Sequence, residues 1–141
     1  MDFKNTDDLK QELMESPDLH EFLSDNNKHF ISIPASELLG RLLTRKGISK
    51  STLAKQAGMS EVYLHQIFSG RRNPSRNRLL CMCYGLGATL DETQDLLKHF
   101  ELAQLFPKVR RDSILIYGLL HNLSLFEINE KLFEEQEDPL L

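Results

Sequence analysis

Nine of the 17 Lys and Arg residues of this chain fall between positions 41 and 78, where Glu61 is the only acid. Arg41, Arg45, Lys46, Lys50, Lys55, Arg71, Arg72, Arg76 and Arg78 give that stretch a balance of +8 inside a chain of net charge −4. Polyanions respond to the field within about one Debye length (~10 Å at 0.1 M salt), so the local block matters more than the total. The flanks are acidic: residues 1–37 hold nine acids against three lysines, and residues 127–138 hold six against Lys131. The chemistry on offer is recognition, not reaction. There is no Gly-rich phosphate loop, no H-E-x-x-H, no G-x-S-x-G and no nucleophile placed beside a base. His20, His29, His65, His99 and His121 fall on different predicted elements. The chain is therefore not expected to be an enzyme or to carry a cofactor. Cys81 and Cys83 lie about 200° apart around a predicted helix, too divergent to bridge and without the further ligands a metal needs. Buried thiols and no metal site are expected of them.

The elements that must position the basic block centre on residues 49–70, SKSTLAKQAGMSEVYLHQIFSG. Ser49 and Ser60 each precede a run with helical spacing, as N-caps do. Gly58 stands where the first helix must stop, and Ala54 is small enough for a second helix to cross closely above it. Two short helices joined by a tight turn form a helix-turn-helix pattern. In the second, residues 60–69, Leu64, Ile67 and Phe68 make one apolar stripe. Rotation by 100° per residue sets Val62, Gln66 and Ser69 opposite that stripe, flanked by His65, with Glu61 and Tyr63 on the shoulders.

The surrounding chain reads as helical throughout, with seven or eight helices and no sustained strand alternation. An N-terminal arm places Leu9 and Leu13 one turn apart; Ser16-Pro17-Asp18 then starts a second helix with proline at its first position, carrying Leu19, Phe22 and Leu23. Phe30, Ile31 and Ile33 lead to Pro34. A helix from about Ser36 carries Leu38, Leu39, Leu42 and Leu43 and ends at Lys46-Gly47. Ser75 caps a further helix with Leu79, Leu80, Cys83 and Leu86, stopped by Gly85 and Gly87. Thr89 with Glu92, and Ser124 with Glu127, form capping boxes. Residues 112–121, DSILIYGLLH, are apolar on most faces and so should be buried, whereas the acidic EEQEDPLL tail should be frayed.

Leu53, Ala54, Gly58, Met59, Ser60, Leu64, Ile67, Gly70, Arg71, Arg72, Pro74 and Ser75 together resemble the DNA-binding domain of the phage repressor/Cro (XRE) family. The segment Met82 to Gly87 resembles that family's Ile-Ala-x-Ala-Leu-Gly, with Cys83 and Gly85 replacing two alanines. The likeness covers roughly residues 36–97. It implies an all-α protein: a five-helix repressor-like domain over 34–103, an N-terminal helical arm over 1–33 and a C-terminal helical hairpin over 104–141.

The resemblance further implies a bacterial transcription regulator, repressor-like, that reads the major groove of double-stranded DNA with residues 60–69. Glu61, Val62 and Gln66 occupy positions that face base edges in the family. Gln66 could pair bidentately with adenine, Glu61 could accept from cytosine N4, and Val62 could pack on a thymine methyl. Lys50, Arg71 and Arg72 match phosphate-contacting places, and Tyr63, His65, Ser69 and Arg76 are candidates for further backbone contacts. Phe68 departs from the family, which usually has an acid there. A homodimer is expected from the apolar helices outside the DNA-binding unit. The alternative is an adaptor with little or no DNA binding, whose protein partner meets this helix, the acidic arm or the C-terminal helices. No run is long enough to span a membrane and the acidic N-terminus is no secretory signal, so a cytoplasmic location is expected.

Overall fold

Small polar side chains set where most helices of this chain begin. The computed structural model describes residues 4–27 and 33–141, and among them nine helices and no strand. They fall into two compact units, residues 1–32 and 33–141. In the first, α1 (Thr6–Glu15) is capped by Asn5 and α2 (Leu19–Asp25) by Asp18. Asn26 is buried, bonding the Phe22 carbonyl at 3.0 Å, the Lys4 ammonium at 2.7 Å and Glu12. Ser16 closes α1, and Pro17 precedes the cap of α2 instead of opening its first turn as expected. Asp18 wins because its carboxylate can accept the His20 N–H, whereas Ser16 turns its hydroxyl onto the Asp18 carbonyl. Phe30 and Ile31 of the sequence reading, and His29, lie outside the described residues.

The second unit runs α3 (Ala35–Lys46), α4 (Lys50–Ala57), α5 (Glu61–Phe68), α6 (Arg76–Leu86), α7 (Leu90–His99), α8 (Arg110–Leu120) and α9 (Leu125–Glu134). Ser49, Ser60 and Ser75 accept from backbone N–H groups as N-caps, each worth about 0.5–2 kcal/mol. Both expected capping boxes are formed, Thr89–Glu92 and Ser124–Glu127. α3 starts at Ala35, one residue before the expected Ser36, after a Pro34 that donates no side-chain cap.

One continuous core runs through this unit. Leu39, Leu53, Leu64, Ile67, Leu79, Leu80, Leu96 and Leu97 are buried together with Leu115, Ile128 and Leu132 of the last two helices. Burying one such side chain contributes about 1.5–3 kcal/mol. A close helix crossing lies between α4 and α6. A Cβ on Gly85 would lie 3.0 Å from Leu53 Cδ1 and 3.2 Å from both the Cβ and the N of Ala57. Gly85 therefore sits inside α6 as a contact point and does not stop it; the helix ends at Gly87.

Two further expectations change. α8 is not buried all round: Asp112, Leu115, Gly118 and Leu119 are covered, whereas Tyr117 and Leu120 face outward. The tail after α9 is not frayed. Leu140 is buried, its N–H donating to Asn129 Oδ1 at 2.8 Å, and Arg111 donates to the Asp138 carbonyl at 2.9 Å and the Pro139 carbonyl at 3.1 Å. Leu141 lies over Gly58, where an added Cβ would meet its Cδ1 at 2.7 Å. The acidic composition of 134–138 conceals this strap because its anchors are backbone carbonyls and two leucines.

Candidate nucleic-acid interface

Four features build the α4–α5 pair. Ser49 and Ser60 cap the two helices, and Gly58 takes φ +66° to end the first, a conformation that costs glycine little. The Gly58 N–H bonds the Lys55 carbonyl and the Met59 N–H bonds the Ala54 carbonyl, the paired bonds of a Schellman close. Leu64 and Ile67 are fully buried and fix the rotation of α5 about its axis. That rotation decides which side chains face out.

Val62 is 69% exposed at the centre of the outward face. It shares a groove of about 470 Å³ with Lys50, His65, Gln66, Phe68, Ser69 and Arg71. Six residues singled out from the sequence thus come together: Val62 and Gln66 in the middle, Lys50 and Arg71 as cations, His65 and Ser69 at the edge. The Ser69 hydroxyl donates to the Gln66 carbonyl at 3.1 Å, and that carbonyl also accepts from the Arg71 and Arg72 N–H groups. The end of α5 is therefore tied to the start of the basic loop. Lys50 Nζ sits 5.3 Å from the centroid of Phe68, a cation–π contact that holds the ammonium at the groove wall.

Glu61 and Tyr63 do not line the groove. Glu61 is exposed in the first turn of α5. The Tyr63 ring instead takes Arg72 at 5.4 Å and Arg78 at 5.2 Å. Arg76 is turned the other way. Its guanidinium makes two bonds to Asp112, at 3.1 and 2.9 Å, and one each to the carbonyls of Ala103 and Gln104. Those bonds commit it to the fold, because Asp112 is itself buried and needs the cation, so Arg76 is not free for a phosphate.

Electrostatics sort the cations of this unit. Arg41, Arg45, Lys46, Arg76, Lys98, Arg110 and Lys131 are each ion-paired. Lys50, Lys55, Arg71, Arg72 and Arg78 have no acidic partner among the described residues. Lys108 and Arg111 also lack a carboxylate partner among the described residues, so most but not all of the unpaired charge of this unit lies on α4, on the loop after α5 and on the first turn of α6.

The helix-turn-helix domain model matches residues 35–96. The match runs from α3 into α7 and takes in the α4–α5 pair. No curated protein and no solved structure matches the chain. The match supports DNA binding in general, and the all-helical fold agrees with it.

The two thiols of α6 belong to the core. Cys81 and Cys83 are fully buried; burial pushes their thiols up to about 11 and about 12, so both stay neutral. The described residues contain no cluster of His, Cys, Asp or Glu fit to hold a metal, and no helix among them is long and apolar enough to cross a membrane. The sequence reading gave Arg78 no role at the site. Its place beside Tyr63 depends on the path of the loop 69–75, for which periodicity carries no signal.

Proposed function

We propose that this chain is a sequence-specific bacterial transcription regulator that lays α5 in the major groove of duplex DNA, with α4 across the backbone. The groove, about 12 Å wide, admits one helix. One observation carries the reading: the outward Val62–Gln66 face is bordered by cations that no acid among the described residues neutralises. In this role Gln66 pairs with adenine, Val62 packs on a thymine methyl and Glu61 accepts from cytosine N4. Lys50, Arg71 and Arg72 hold phosphates, and His65 and Ser69 add contacts at the edge. The regulator acts as a dimer on two half-sites about one helical turn apart. The outward Tyr117, Leu120, Phe126 and Phe133 of α8 and α9 offer apolar surface for pairing.

Selection of bound sequences from a random duplex pool tests this, with enrichment of a two-fold symmetric motif as the expected result. The exposed Val62 next to Glu61 favours a second reading, an adaptor that docks another protein on the same helix. Absence of binding to any duplex at about 50 mM salt, where phosphate contacts are strongest, would remove the first reading and favour the second. Light scattering that shows a monomer at tens of micromolar would remove the dimer.

A further inference from the structure

Tyr63 brings two like charges to one aromatic ring. Arg72 comes from the loop after α5 and lies 5.4 Å from the ring centroid; Arg78 comes from the first turn of α6 and lies 5.2 Å from it. Through that shared ring the two guanidinium groups are no further apart than about one Debye length (~10 Å at 0.1 M salt). Both arginines are exposed, and neither has an acidic partner among the described residues. The ring quadrupole attracts each cation but does not cancel its charge, so the pair remains a concentrated positive site. Guanidinium is planar, carries five donors and stays charged at any working pH, which suits it to bidentate phosphate contact. Stacking also removes much of the rotamer freedom that a free arginine would lose on binding.

We infer that Arg72, Tyr63 and Arg78 form a preorganised clamp for the phosphodiester backbone of duplex DNA. Tyr63 is the positioning residue and the two arginines are the phosphate-binding groups. This rests on the DNA-binding reading and extends it: it assigns Arg78, on the helix after the recognition helix, to the interface, and it moves Tyr63 from direct contact to support. The clamp carries no base information, since phosphate contacts fix register and orientation only. It therefore acts on every duplex alike.

The test is a set of anisotropy titrations of the full chain against a random-sequence duplex between about 50 and 200 mM salt, where each phosphate contact contributes about 0.9 to the log–log slope. Arg78→Ala and Arg72→Ala are each expected to lower the slope by about that amount. Lys108→Ala removes an equal charge from an exposed loop and is expected to leave it unchanged. Tyr63→Leu, which removes the ring and keeps both charges, is expected to weaken binding several-fold, and Tyr63→Phe is expected to recover it. Thermal melts confirm that each variant is folded; should Tyr63→Leu unfold, the exposed Arg78→Ala still decides the matter. An unchanged slope for Arg78→Ala, with the parent binding normally, overturns the clamp and leaves the DNA-binding reading standing. Failure of the parent to bind any duplex overturns both.

Discussion

Glu92 is a residue whose surroundings pull it in two directions. Burial pushes its carboxyl up, but hydrogen bonds from Thr89 and the ammonium of Lys46, 3.0 Å away, outweigh that and hold it below its ordinary 4.5. It also accepts from Arg45 at 3.0 Å, so a single carboxylate ties α3 to the first turn of α7. A folded value below the unfolded one means that the ionised form stabilises the native state. That contribution is complete above about pH 4.5 and is lost as pH falls through the folded value. Glu92→Gln should therefore lose stability at pH 7 and little well below pH 4.5, which flattens the acid limb measured by urea unfolding across pH. An acid limb identical to the parent's would place the ion pairs among surface contacts of no consequence. At this scale the sequence was legible where a signal is local. Thr89 and Glu92 announce their capping box by spacing alone, as Ser49 and Ser60 announce their caps. The partners of Glu92 across the fold, Arg45 and Lys46, carry no such mark, because a basic residue near a helix end serves a salt bridge or a phosphate equally well. Arg76 shows the same ambiguity resolved toward structure, with Asp112 far along the chain as the deciding partner.

Among the elements, α8 depends on a point of contact that hydropathy cannot reveal. Gly118 faces α6 and α9 at once: an added Cβ would run into the Tyr84 hydroxyl and lie 2.6 Å from Ile128 Cδ1. The Tyr84 hydroxyl is not free to retreat, since it donates to the Leu115 carbonyl at 2.6 Å and burial raises its pKa well above the ordinary range. Gly118→Ala gains about 1 kcal/mol of helix propensity. Overpacking costs about 1–3 kcal/mol, and the lost hydrogen bond adds about 1 kcal/mol. A net destabilisation of about 1–3 kcal/mol in chemical denaturation is the expected result. A more stable variant would mean that α8 shifts to make room. The helices themselves were readable from their caps and stripes, and the pair α4–α5 was readable with its outward face. Gly85 was misread as a stop because glycine marks both helix ends and close crossings, and only the partner Ala57 distinguishes them. The apolar run 112–121 was misread as wholly buried because a short helix packed on one side still exposes Tyr117 and Leu120.

Across the molecule as a whole, charge is segregated by use. The net −4 conceals a basic block in which about half the cations are spent internally and the rest face out. The Arg76–Asp112 pair shows what the internal ones do: it joins the first turn of α6 to the first turn of α8, with Phe106 N–H also bonded to Asp112 at 3.0 Å. Removing one partner strands a charge that is almost wholly covered, so Arg76→Ala should cost about 3 kcal/mol of stability. Its salt slope for duplex DNA, measured well below the melting point, should match the parent's. A lower slope with an unchanged melting temperature would return Arg76 to the phosphate contacts and refute the structural assignment.

Leu141 over Gly58 carries a genetic consequence. The turn between the two motif helices is wedged by a side chain far from it along the chain. An allele that lacks only residues 139–141 would spare every residue proposed to touch nucleic acid. It would still uncover the Leu140 site in the core and leave the turn glycine without its lid. Such an allele should behave as a partial, heat-aggravated loss of function, although a map of contacts alone would score it as silent.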